Sequence, residues 1–131
     1  MQPEDVHQWS RMNQIIGIVD AYAWPSIAGG VLVNRVLMPR LFGREPDEAT
    51  IAAAMPQARL CLSEIDRLMA DNRFLAANFV TLADLMVVPL LYYFANTSDG
   101  VGPTAEHPKL RDWLRVMEAR QSFQVTKPPP I

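Results

Sequence analysis

The chain has one cysteine, Cys61, so no disulfide can staple it from within. A reducing, cytoplasmic setting is the expectation. Its two histidines, His7 and His107, have no second ligand-type residue at i+3 or i+4, which argues against a metal site. There is no excess of basic charge: 12 Lys and Arg stand against 14 Asp and Glu, for a net charge of −2. A nucleic-acid binder would carry a basic stripe or patch. Glycine is scarce, and the one adjacent pair, Gly29-Gly30, has neither the G-x-G-x-x-G spacing nor that of a Walker loop. Close helix packing is the simpler use for it. No G-x-S-x-G marks a nucleophilic serine. The opening "QPEDVHQW" is polar and acidic, unlike a secretory leader. There is no strand-like alternation, no internal repeat, and no low-complexity segment beyond the prolines of "KPPPI".

A long, uninterrupted apolar run is also missing. Ile15 to Val33 is long enough for a membrane span, but Asp20, Pro25 and the glycine pair break it, and Asn34-Arg35 closes it. A pair of helices buried on several sides, in a core and at a subunit interface, is the better reading.

What is present is helical periodicity nearly everywhere, in a chain of 131 residues whose composition is half apolar and one-fifth charged. One domain over 1–131 follows, large enough to bury a core. Pro3, Glu4 and Asp5 read as a helix start with proline in the first turn. Trp9, Met12, Ile16, Val19 and Ala23 follow at helical spacing. Pro25 should kink or restart this helix near Trp24, and Pro39 should stop the second piece. Asp47 or Glu45 caps the next helix, whose stripe is Ile51, Met55, Ala58, Leu62, Ile65 and Met69, with a bend near Pro56. "NTSDGVGPTAEH" reads as a loop. "HPKLRDWLRVMEAR" reads as a short helix with Leu110, Trp113, Leu114 and Met117 inward. An irregular tail is included in 117–131. The class is all-α, about five or six helices.

One acid, Asp84, sits inside the apolar stretch "NFVTLADLMVVPLL". Thr81 precedes it by three residues, which is the pattern of a capping box, and Val80 with Leu85 occupy the two positions of a hydrophobic staple. The Thr81 hydroxyl can accept the Asp84 N–H while the Asp84 carboxylate accepts the Thr81 N–H. No second titratable group lies nearby to make a catalytic pair, so the reading is structural. On it, Asp84→Ala costs about 0.5–2 kcal/mol, more if the carboxylate is buried. Thr81→Ala costs about as much, and Asp84→Asn less. Cys61 and Trp113 read as core. Arg35, Arg40, Arg44 and Arg59 read as solvated surface, with a cluster at a subunit or domain boundary as the alternative.

"FLAANFVTLADLMVVPLLYYF" resembles the capping-box segment of the C-terminal helical domain of cytosolic, bacterial-type glutathione transferases. "SRMNQIIGIVDAYAWPSI" resembles that domain's long first helix. "ATIAAAMPQARLCLSEIDRLMADNRFLA" resembles the next, and "HPKLRDWLRVMEARQSFQVTKPPP" resembles its His-Pro helix and Thr-Pro tail. The resemblance covers almost the whole chain. The family's N-terminal thioredoxin-like domain, which binds glutathione and contacts the thiol, is not in this sequence.

The resemblance implies a fold of that helical type, an electrophile pocket along the first helix, glutathione as co-substrate, no metal, and a homodimer. It also implies a thioredoxin-like domain as partner and a hydrophobic electrophile as the small molecule bound. Met12, Asn13, Ile16, Val19, Tyr22 and Trp24 are the residues it nominates for the pocket, with plain core packing as the alternative for Ile16 and Val19. Asp20 is nominated to reach glutathione across the dimer interface. No catalytic residue is expected in the chain. A non-catalytic helical interaction module is the other class of function such a domain can serve.

Overall fold

A computed structural model of the chain describes residues 2–127. Among the described residues there are helices and no strands. We number them α1 (Val6–Phe42), α2 (Glu48–Met69), α3 (Leu82–Ala95), α4 (Val101–Ala105), α5 (Pro108–Glu118) and α6 (Gln121–Thr126).

The expected pair of helices before residue 43 is one continuous helix. Asp5 caps it, its Oδ1 accepting the His7 and Gln8 N–H groups at 2.9 and 3.0 Å. Pro3 is buried ahead of the cap rather than in the first turn. Pro25 neither stops nor restarts the helix, because Val19–Leu37 winds more widely, with i→i+5 bonding. A proline ring collides with the carbonyl four residues back in an α-helix, and the wider turn relieves that collision. In the same turn the Tyr22 carbonyl accepts from the Ser26 hydroxyl at 2.7 Å and from Gln57 Nε2 of α2 at 3.1 Å. Pro39 does not stop the helix either: it lies where the wide winding gives way to the closing α-helical stretch, Met38–Phe42, and the chain stays helical to Phe42. Gly43, at φ 61°, is the residue that ends α1.

Met12, Ile15, Val19, Ala23, Ile27 and Val31 form the buried edge of α1, in steps of three or four residues. Its main partner is α2, and the two backbones come close at Gly30, where an added Cβ would overlap that of Ala54. Gly29 is exposed and meets nothing closer than ordinary contact, so only one of the pair does the packing. By length and composition α1 could cross a membrane; here its buried edge is core.

Asp47 caps α2, accepting the Thr50 N–H at 3.1 Å and the Thr50 hydroxyl at 2.8 Å. The helix runs unbroken through Pro56 and presents Ile51, Ala58, Cys61, Leu62, Ile65 and Met69 to the core. Its last carbonyls are met by Lys109 Nζ of α5, at 2.7 Å from the Ala70 oxygen. The stretch read as the loop "NTSDGVGPTAEH" contains α4. Pro103 lies in its first turn, and Thr97 and Thr104 hold the bend through Phe94 O and Gly100 O. The tail expected to be irregular folds as α6 over 121–126, fastened by Phe123 packing edge-on against Tyr92 at 5.2 Å. Six residues are too few for a period to be read. The prolines 128–130 lie outside the described residues.

Arg35 is not solvated surface. It reaches from α1 to Glu48 at the start of α2 (2.6 Å) and to Asp99 before α4 (2.7 Å). The hydrogen bond from Arg35 holds the Glu48 carboxyl below the usual glutamate range. A carboxylate whose folded pKa is depressed contributes stability above its unfolded value, and that contribution is lost as pH falls through the folded one. Arg35→Met should therefore be less stable than wild type above about pH 5, with the gap narrowing as pH falls through the carboxylate range. Urea unfolding of both proteins between neutral and acidic pH measures this. A pH-independent gap would show that Glu48 contributes nothing.

Candidate functional site

Two regions carry the candidate residues. The first is the start of α3. Thr81 and Asp84 are fully buried, and both halves of the capping box are present. Asp84 Oδ2 accepts the Thr81 N–H at 2.8 Å and lies 3.4 Å from its hydroxyl. Asp84 Oδ1 accepts two further bonds, from the Leu75 N–H at 3.0 Å and from the Trp113 indole N–H at 2.8 Å. One carboxylate therefore ties the start of α3 to the 74–77 loop and to α5.

That loop explains the need. Phe74, Leu75, Ala76 and Ala77 are buried without helix or strand to satisfy their backbone. The Phe74 N–H finds Ala77 O at 3.0 Å, Ala76 O accepts from Arg11 Nη1 of α1 at 3.1 Å, and Leu75 N–H depends on Asp84. Local spacing announces the Thr81–Asp84 pair. The bonds to Leu75 and Trp113, 9 and 29 residues away, leave no local signal. Val80 packs against the core, while Leu85 at the other staple position is 40% exposed.

The second region is α1, where the nominated residues divide among three faces. Met12 and Val19 are each 1% exposed in the core, so they line no open pocket of this domain. That corrects their nomination: both sit on the edge of α1 that α2 and α3 cover. Trp9, Asn13, Ile16 and Asp20 follow at i, i+4, i+7 and i+11 on a second face. Ile16 is half-buried and the other three are exposed, with Trp24 exposed one turn on. Asn13 donates to the Trp9 carbonyl at 2.9 Å, which fixes its amide along the helix. This strip combines two indoles, an amide and a carboxylate.

Tyr22 lies apart from the strip. It lines an open cavity of about 420 Å³ between α1 and α2, with Ile18, Pro56, Gln57, Leu60 and Cys61. The α2 residues here were not nominated from the sequence, since nothing in the spacing of α2 relates them to α1. Cys61 keeps its reading as a core residue: it is 3% exposed, and burial pushes its thiol up, which disfavours the thiolate. Among the described residues no three His, Cys, Asp or Glu side chains gather as a metal site would require.

Comparison with known proteins agrees with this architecture. The family model described as "Glutathione S-transferase, C-terminal domain" matches residues 15–121. Glutathione S-transferase F13 of Arabidopsis thaliana is 26% identical over 110 residues, covering 84% of this chain and 49% of its own. Glutathione S-transferase 1 of Triticum aestivum is 24% identical over 113 residues, covering 81% and 47%. The chain thus spans about half the length of the curated relatives it matches. Among solved structures, glutathione S-transferase III in apo form superposes with a TM-score of 0.83 at 24% identity, covering 99% of this chain and 61% of that one. Glutathione transferase F7 of Populus trichocarpa gives 0.81 at 22% identity, covering 95% and 57%. A helical bundle with a capping box at the head of its apolar helix, matched over 107 residues, settles the family: this chain belongs to the glutathione S-transferase C-terminal domain family.

Proposed function

We propose that the chain serves as the electrophile-pocket and dimerisation domain of a cytoplasmic glutathione transferase. The complete enzyme adds the thiolate of glutathione to a hydrophobic electrophile. A thioredoxin-like domain binds glutathione and activates its thiol. The helical domain holds the apolar co-substrate beside it, so its contribution is proximity and exclusion of water. The observation that carries this reading is the α1 strip: indoles and an amide standing in solvent on a helix whose opposite face is core. Such a mixture of apolar walls and a few polar groups is what a small-molecule pocket uses once a second wall closes it. Trp9, Asn13, Ile16 and Trp24 supply that wall, and Asp20 is positioned on it to meet glutathione from a second subunit. The adjoining faces of α1 and α2 form the homodimer contact.

The test is a conjugation assay with glutathione and 1-chloro-2,4-dinitrobenzene. The chain alone should give the uncatalysed rate. Joined to the thioredoxin-like half of the Arabidopsis relative, it should turn over, and Asp20→Asn should raise the KM for glutathione with kcat little changed. Turnover by the chain alone would overturn the assignment of thiol activation to another domain.

A further inference from the structure

The chain contains one Asp-Gly step, Asp99-Gly100, in the turn between α3 and α4. Glycine sets no side chain beside its own nitrogen, so such a step is the one most open to attack by that nitrogen on the preceding carboxyl group. Neither residue can be exchanged without harm to the fold. Gly100 is buried, and an added Cβ would overlap the Phe94 carbonyl. Asp99 receives the second arm of Arg35: its Oδ2 accepts from Nε at 2.7 Å and its Oδ1 from Nη2 at 3.1 Å. Both reacting groups are thereby held. The guanidinium occupies both carboxylate oxygens, in a side chain only 17% exposed. The Gly100 N–H is directed at Thr97, donating to its hydroxyl oxygen at 3.0 Å and to its carbonyl at 3.3 Å.

We propose that Asp99 is a modification site, convertible without an enzyme to isoaspartate, and that Arg35 is the residue which holds the conversion back in the folded chain. The reaction uses only the chain and water. The Gly100 nitrogen forms a bond to Cγ of Asp99. A carboxyl hydroxyl leaves with the amide hydrogen, so one water is lost and a succinimide ring remains. Water then opens the ring. Attack at Cγ restores aspartate, and attack at the backbone carbonyl carbon gives isoaspartate, with the chain now running through Cβ and Cγ. Ring closure requires the carboxyl group to let go of Arg35 and take up a proton, and the Gly100 N–H to leave Thr97. The product cannot return to the same grip, because its carboxylate sits directly on Cα, one carbon shorter. Isomerisation therefore unties α1 from the turn before α4 and leaves Arg35 with Glu48.

The full chain is kept at neutral pH for several weeks, folded and, in parallel, unfolded in urea. Isoaspartate is counted by transfer of a labelled methyl group from S-adenosylmethionine with an isoaspartyl carboxyl methyltransferase. Mass spectrometry of peptides from samples aged in water enriched in heavy oxygen places it at residue 99. Folded wild type should convert at least about tenfold more slowly than the unfolded chain, one charge-assisted bond being enough for that factor. Arg35→Met, with helicity checked by circular dichroism, should convert at least about tenfold faster than wild type. Glu48→Gln cuts the other arm of Arg35 and leaves its bonds to Asp99, so it should stay within about twofold of wild type. Where the methionine variant does not fold, Arg35→Lys takes its place, since it keeps the charge and loses the two-point grip; it too should convert faster than wild type. Equal rates in the folded and unfolded wild type would overturn the proposal. So would a wild-type rate in whichever folded Arg35 variant is used, or a Glu48→Gln rate as high as that variant's, which would make general loosening the cause.

Discussion

Asp84→Ala is expected to lower the free energy of unfolding by at least about 3 kcal/mol. The alanine leaves three buried N–H donors without an acceptor, those of Leu75, Thr81 and Trp113. Each orphaned donor costs about 1–3 kcal/mol. A domain of this size has roughly 5–15 kcal/mol in all, so the variant loses a large part of its stability. This exceeds the 0.5–2 kcal/mol range of an exposed cap, because the carboxylate also serves a loop and an indole. The midpoint of urea unfolding reads the loss directly.

The same geometry revises two expectations drawn from the capping box alone. Asp84→Asn is no longer mild. Both carboxylate oxygens accept, so whichever way an amide is turned, its NH₂ faces at least one buried donor. Thr81→Ala is no longer the equal of Asp84→Ala, since it leaves the Leu75 and Trp113 bonds in place; about 1 kcal/mol is expected. A cycle with Trp113→Phe separates the contributions. Asp84→Ala and Trp113→Phe together should cost less than the sum of the two, because they remove one shared bond. Strict additivity would mean that the indole bond contributes nothing.

The contrast marks how far the sequence reaches. Elements whose signal is local were legible: the capping box, the Asp47 cap, the α5 stripe from Leu110 to Met117, and the all-helical class. Proline misled at residues 25 and 39. The usual reading assumes α-helical winding, and α1 changes its winding between Val19 and Leu37. The helices α4 and α6 are too short for a period, and they form because Pro103 and Phe123 find partners on other elements. In the candidate site, helical spacing brought Asn13, Ile16 and Asp20 together as neighbours, but it could not say which edge of α1 the other helices would cover. The family resemblance nominated Met12 and Val19 for the pocket without telling the inward edge of the helix from the open one, and both are 1% exposed in the core. Arg35 shows the same limit for charge: its two partners lie 13 and 64 residues away, beyond any local pattern.

Gly30→Val is the second change expected to be severe, near the top of the roughly 1–3 kcal/mol range for overpacking. A Cβ at residue 30 overlaps the Cβ of Ala54, which is too short to swing aside, so α1 and α2 must separate. Protein interiors have no slack to absorb that shift. Gly30→Ala brings the same first clash with less bulk, offset by about 0.8–1 kcal/mol of helix propensity. It should therefore be destabilising by less. Gly29→Ala is the control. Its added methyl meets only the Trp24 carbonyl oxygen at 3.7 Å, so propensity alone acts and the change is neutral or stabilising. The decisive variant exchanges the two contact residues, Gly30→Ala with Ala54→Gly, returning the lost space to the same point on the interface. Stability within about 1 kcal/mol of wild type is expected, because the helix propensity gained at residue 30 offsets that lost to the glycine inside α2. If instead the double variant is as unstable as the sum of its single changes, the contact between Gly30 and Ala54 is not what sets the approach of the two helices. A wild-type midpoint for Gly30→Val would exclude the close approach itself.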